Sequence, residues 1–276
     1  MTGEGWFEGV DPDDVAAGAE AVEEGGAEAP ADWPAVAVEA GFAADENDYY
    51  GRLHAATIHA AREVAAERER AADRQLAHAV RAMDDCARTA NELSERLAEW
   101  AGSYYGEGGA GVEYAREVAD REPADPTAER IVGLAERVSG LASEADRLRS
   151  HVEAEATEVA PNLSAIAGPV LAARLIALAG GLGQLAKKPS GTLQVLGAED
   201  ALFAHLRGRA PSPKHGVIYT HEYVRGTQRD QRGSAARALA GKLTIAARVD
   251  HYSGERKPEL DEALDERIER IRSRGA

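Results

Sequence analysis

The chain has 276 residues, a formal net charge of −16 and 44% hydrophobic residues, with alanine predominant and aromatics at only 5%. That is enough chain for one large domain or two modest ones built from packed helices. The single cysteine, Cys86, excludes a disulfide framework or a cysteine zinc cluster and fits a reducing, cytoplasmic setting. Few lysines and many acids read as adaptation to molar salt rather than as a solubilising surface alone.

The opening "MTGEGWFEGVDPDD" is acidic and has no basic n-region, so no signal peptide is expected. Residues 1–48 read as a reduced, partly disordered N-terminal region. In it, Trp6 and Phe7 are available as anchors, and "WPAVAVEAGFA" could form a short strand or turn. Residues 49–160 read as helical lead-in and coiled-coil hairpin. From Asp48 to about Tyr104 the pattern is helical, with Leu76, Val80, Met83, Ala87, Ala90, Leu93, Leu97 and Trp100 on one stripe. The glycines of "AGSYYGEGGAGVEY" end that helix.

A second helix is predicted from Pro126–Thr127 to about Ala160. Ile131, Leu134, Val138, Leu141, Ala145, Leu148 and Val152 alternate in steps of three and four, which is a coiled-coil seam. An antiparallel hairpin follows, forming a rod that separates two ends or pairs with a second copy.

Beyond residue 160 the composition changes. Residues 161–257 carry a net +8 inside the −16 chain, which is what contact with a polyanion requires. Residues 170–186 are too short and broken to span a bilayer and read as one buried helix. "GAEDALFAHLRGR" reads as a short amphipathic helix with Leu202, Phe203 and Leu206 inward. "PSPKHGVIYTH" reads as a loop, and residues 232–252 as a helix with its Ala, Leu and Ile on one side. Leu260, Leu264, Ile268 and Ile271 share one face of a closing helix over 258–276.

No catalytic motif survives inspection. "GGLGQLAKK" and "AGKLT" both miss the phosphate-loop spacing, and neither H-E-x-x-H nor G-x-S-x-G occurs. His215 and His221 lack a third metal ligand. Cys86 reads as a small hydrophobe within a helix. The chain is expected not to be an enzyme and to hold neither metal nor cofactor.

The segments "PNL", "LAARLIALAG", "LQVLGAE", "PKHGVIY" and "KLTIAARVD", in that order, resemble the Nop domain, with weaker resemblance reaching back to "GFAADENDYYGRLHAA". Family members of this length are archaeal box C/D ribonucleoprotein core proteins, and the salt pattern suggests a halophilic archaeon. The resemblance implies a mainly α fold, a coiled-coil hairpin followed by an all-helical Nop domain over 161–257. It implies a scaffold for guide RNA-directed 2′-O-methylation of ribosomal and transfer RNA. The implied partners are the box C/D guide RNA, a ribosomal-like kink-turn-binding protein and fibrillarin, which would bind the S-adenosylmethionine, with a homodimer formed through the coiled coil and no membrane.

By motif position, Gly197, Ala198 and Glu199, then Leu202 and Phe203, would face the RNA and its bound protein. Lys214 and His215 lie in the adjoining loop, and Arg232, Lys242 and Arg248 are implied phosphate contacts. For Arg248 an intradomain ion pair, with Asp250 or a helix C-terminus, competes. Asp200 and Ala204 stand where the family has Lys and Arg. Only about 45 residues precede the helical region, against a family N-terminal domain of over a hundred with its own sheet. The alternative is a coiled-coil protein–protein adaptor that binds no RNA.

Overall fold

The computed structural model describes residues 5–25 and 30–273. Among them there are helices and turns and no strand. The chain divides between Ala71 and Ala72 into two compact units.

The first unit contains α1 (Val15–Glu24), α2 (Trp33–Glu39) and α3 (Glu46–Arg70). Residues 33–39, read from sequence as a strand or turn, are helical, and the region is more ordered than its composition suggested. The reason lies in acids that looked like solvated charge. Asp14, Asp32 and Asp45 each accept hydrogen bonds from the first free N–H groups of the helix that follows. Trp6 and Phe7 do anchor the start. Phe7 stacks on Phe42 at 5.4 Å, Tyr49 meets Phe7 edge-on, and the Trp6 indole donates to the Tyr49 hydroxyl at 3.2 Å. The last ten residues of α3 are exposed on every side.

The helix predicted from Asp48 to Tyr104 is two helices, because Ala71 leaves helical geometry with ψ 143°. The second unit starts with α4 (Ala72–Tyr105), and α5 (Gly111–Ala119) and α6 (Pro126–Val159) follow. α4 and α6, of 34 residues each, pack along their length as the predicted hairpin. At 1.5 Å per residue each is roughly 50 Å long. Asp125 caps α6 through Thr127 N and Ala128 N at 2.8 Å, and the hydrogen bond from the Tyr104 hydroxyl holds its carboxyl below the usual range.

The heptad seam closes on the chain's own α4. Ile131, Val138, Ala145 and Val152 are buried, while Leu134, Leu141 and Leu148 are half-buried. Leu97, Ala101, Tyr114, Val118, Ile131 and Val138 form the core at the tip. Trp100, placed on the stripe by periodicity, is 40% exposed there.

The helical lobe comprises α7 (Pro161–Ala167), α8 (Pro169–Ala179), α9 (Leu182–Lys187), α10 (Ser190–Val195) and α11 (Glu199–Leu206). A 3-10 turn (Val217–Thr220), α12 (Glu222–Arg225), α13 (Arg232–Tyr252) and α14 (Glu259–Arg272) complete it. The helix expected over 170–186 is interrupted at Gly180 and Gly181, whose φ values of 87° and 120° suit glycine alone. α13 runs through the centre, with Leu239, Leu243, Ala246 and Ala247 fully buried. Ile245, grouped with that face in the sequence reading, is 43% exposed. Leu260, Leu264, Ile268 and Ile271 of α14 are buried against the same core, as their spacing predicted. No single helix is long and apolar enough to cross a membrane, and the apolar pair α7–α8 bends by 117° inside this core.

Four polar contacts fasten the root of the rod to the lobe. Arg174 Nε donates to Asp84 at 2.9 Å, Arg81 to Ala177 O at 2.8 Å and Arg74 to Gly180 O at 3.2 Å, while Asp73 accepts from Leu182 N at 2.8 Å. A second knot ties the two ends of the lobe together. The buried Asp250 carboxylate accepts from Asn162 N (3.0 Å), Asn162 Nδ2 (2.7 Å) and Leu163 N (2.8 Å), so a side chain of α13 caps α7. The Asn162 side-chain Oδ1 in turn accepts from Lys257 N at 2.7 Å. Asp250 is therefore committed to α7 and forms no pair with Arg248.

Candidate nucleic-acid interface

Two stretches distant in sequence are stitched together at the lobe surface. Gly216 N donates to Gln194 O and Val217 N to Leu196 O, both at 2.8 Å, and Gln194 Nε2 donates to Lys214 O at 2.7 Å. A side chain on Gly216 would collide with the Leu196 carbonyl. Gly197 has φ 82° and lies against Leu178 and Val217. The "LGAE" turn and the "PKHGV" loop are thus held side by side because these two positions lack a side chain. Glu199 is exposed, and its carboxylate accepts from Gly197 N at 2.8 Å, closing the turn locally.

α11 leaves this turn and buries none of its own residues. Leu202 and Ala198 are half-buried. Phe203 and Leu206, expected to point inward, are 56% and 70% exposed. Their spacing correctly put them on one face, but among the described residues of this unit nothing buries that face. Large apolar side chains left bare together mark a contact surface.

α11 ends at Gly208, φ 70°, where Gly208 N bonds to His205 O and Arg209 N to Ala204 O, both at 2.8 Å. This closure turns Arg207 and Arg209 onto the surface beside the Pro211–Pro213 loop. Arg207, Arg209 and Lys214 are all exposed. Between residues 187 and 248 there are eleven Lys and Arg against four Asp and Glu, and among the described residues none of those eleven is in an ion pair. On the rod, by contrast, Arg88, Arg96, Arg116 and Arg147 each pair with an acid three residues away. These cations of the rod are compensated by neighbouring acids, whereas the cations of the lobe are left available to an anionic partner.

Two inherited phosphate contacts are already occupied. Arg232 donates to Thr227 O (3.1 Å), the Tyr219 hydroxyl (3.3 Å) and Arg225 O (3.3 Å), with its guanidinium over the Tyr219 ring. Tyr219 stacks on the half-buried His215 at 4.6 Å, so Arg232 supports the loop from behind. Arg248 donates to Ala186 O at 3.0 Å, capping the C-terminal turn of α9. That matches the helix-terminus role weighed against RNA contact. Lys242 lies farther along α13.

His221 Nδ1 accepts from Tyr223 N at 3.2 Å, which leaves Nε2 to donate to Ile166 O at 2.9 Å. Burial pushes this imidazole below its ordinary value and keeps it neutral. Among the described residues no group of three or more His, Cys, Asp or Glu is placed to hold a metal ion. Sequence reasoning placed Arg237 off the apolar side of α13 but missed the exposed Leu178 beside Gly197, the Asp250 cap and Arg267 on α14. No local pattern announces any of these last three.

Comparison with known proteins bears on this surface. The protein-family model Nop, described as "snoRNA binding domain, fibrillarin", matches residues 109–273. A NOP5 family protein of Methanocaldococcus jannaschii is 35% identical over 274 residues, covering 86% of this chain and 66% of its own length. Nucleolar protein 56 of Mus musculus is 40% identical over 119 residues, 43% of this chain and 20% of its own length. This chain therefore spans just under two thirds of the archaeal relative and a fifth of the mouse one. A crystal structure of a fibrillarin/Nop5p complex contains a chain that aligns over 94% of this one and 91% of its own length, with a TM-score of 0.52 and 26% identity.

Proposed function

This chain belongs to the Nop family, and from that premise we propose that it is the RNA- and protein-binding scaffold of a box C/D guide-RNA complex that directs ribose 2′-O-methylation of ribosomal and transfer RNA. The observation that carries the proposal is the lobe edge itself. Three exposed, unpaired cations, Arg207, Arg209 and Lys214, lie beside the bare Phe203 and Leu206. Cations take phosphate, and apolar side chains take protein. A composite of a kink-turn RNA and the small protein gripping that turn offers both at once.

The chain works without catalysis of its own. Fibrillarin supplies the methyltransferase and carries the S-adenosylmethionine. The aligned structure of a fibrillarin/Nop5p complex supports that partnership. The first unit, with its aromatic cluster around Trp6 and Phe42, is the segment we assign to fibrillarin contact. The rod offers Leu134, Leu141 and Leu148, half-buried along α6, to a second copy.

Gel shift with a kink-turn guide RNA, with and without the kink-turn-binding protein, tests the proposal. The chain should add a further shift to the preformed RNA–protein complex. No added shift, together with capture of an acidic protein that survives RNase, supports the adaptor reading in its place.

A further inference from the structure

A second cationic feature lies on the other side of the lobe edge, between α13 and α14. Arg237, Lys242 and Arg267 surround a groove of about 440 Å³ floored by Ala238, Gly241, Ile245 and Ile271. Arg237 and Arg267 are exposed and Lys242 is half-buried. Among the described residues none of the three has an ion pair or a side-chain hydrogen bond. No acid lines the groove. Of the three acids within two residues of Arg267 on α14, Asp265 accepts from the Tyr223 hydroxyl, Glu266 pairs with Arg270, and Glu269 is not among the lining residues. In a chain of net charge −16, three uncompensated cations around one groove are an arrangement that an anionic occupant would stabilise.

The groove continues from the surface described above. The Lys214 side chain lies 3.8 Å from where a Cβ on Gly233 would be. Gly233, Arg237 and Gly241 follow at four-residue steps on one face of α13, with Lys242 next to the last. From Gly233 to Lys242 the helix rises roughly 14 Å. The uncapped N-terminus of α13, with no acid in its first turn, adds its partial positive charge at the start of this line.

We propose that Lys214, Arg237, Lys242 and Arg267 form a continuous track for the phosphate backbone of an RNA stem extending beyond the kink-turn. This rests on the RNA-scaffold reading and adds a second contact to it, carried by α13 and α14. The track reads backbone and not sequence, because its cations are long, mobile and without a rigid partner to orient them toward base edges.

The test is the salt dependence of binding by the full chain to a preformed complex of guide RNA and kink-turn-binding protein. It compares the unmodified chain with the double variant Arg237→Gln, Arg267→Gln, whose fold is checked by circular dichroism. On RNA with a long stem, the slope of log K against log salt should become shallower by about 1.5, at roughly 0.7–0.9 per phosphate released. On RNA whose stem ends at the kink-turn, the two proteins should bind alike. Equal slopes on the long stem overturn the track while leaving the scaffold intact. Loss of binding on both RNAs overturns it too, since the cations would then belong to the kink-turn contact or to a protein. Failure of the unmodified chain to bind at all refutes the scaffold reading itself.

Discussion

Replacing Asp250 by asparagine removes one carboxylate oxygen from the knot that joins α13 to the start of α7. Oδ1 accepts from Asn162 N and Nδ2, and Oδ2 accepts from Leu163 N. An asparagine can keep its carbonyl on the Asn162 pair, but its NH₂ then faces the Leu163 N–H, donor against donor. A hydrogen bond to a charged group contributes about 1.5–3 kcal/mol. Loss of a negative charge at a helix N-terminus costs a further 0.3–1 kcal/mol or so. Because Asp250 is only 8% exposed, water cannot replace what is lost. The expected destabilisation is about 3 kcal/mol for Asp250→Asn and about 5 kcal/mol for Asp250→Ala, which leaves all three N–H groups without an acceptor. For a unit of this size that corresponds to roughly 6–12 °C in Tm for the asparagine variant. Scanning calorimetry with urea titration measures both variants. A shift below about 2 °C, or alanine no worse than asparagine, would refute the reasoning.

His221 gives a pH prediction. Its folded-state value is lowered, so the unfolded chain takes up the proton first. The stability it confers is therefore complete above about pH 6.5 and declines as pH falls below that, by at most about 1.4 kcal/mol per pH unit. His221→Gln should flatten that part of the profile in urea titrations between pH 7.5 and 5, and an unchanged slope would contradict it. Leu97→Ala, at a fully buried site in the tip core, should cost about 3 kcal/mol, measured by denaturant midpoint. Phe203→Ala with Leu206→Ala should change stability by no more than about 0.5 kcal/mol, since both are bare. It should weaken association with the RNA–protein composite at least about tenfold. Calorimetry together with gel shift reads both, and a large loss of stability would show that these side chains belong to the core.

The sequence was most informative where one pattern decides one element. The strict three–four spacing from Ile131 to Val152 placed α6 and its buried side, and the four apolar residues of α14 all proved buried. It was least informative where the deciding partner lies far away in the chain. Periodicity put Phe203 and Leu206 on one face but could not say that this face stays exposed. Arg232 and Arg248 look like free cations until the carbonyls of Thr227 and Ala186 are seen within reach. The first unit was underread because Asp14, Asp32 and Asp45 serve as caps in a stretch whose glycines and acids resemble disorder. The break at Gly180–Gly181 was visible as two adjacent glycines, yet the apolar run around it masked its meaning.

The contacts of Asp73, Arg74, Arg81 and Asp84 lie within the first four turns of a helix roughly 50 Å long. Such an arm behaves as a lever whose aim is set at its fulcrum. A wobble of about 5° at the root would move the far end by roughly 4 Å, more than the reach of a hydrogen bond. Four anchors spread over three turns resist that pivoting in a way one could not, so accuracy at the tip is determined by chemistry at the opposite end.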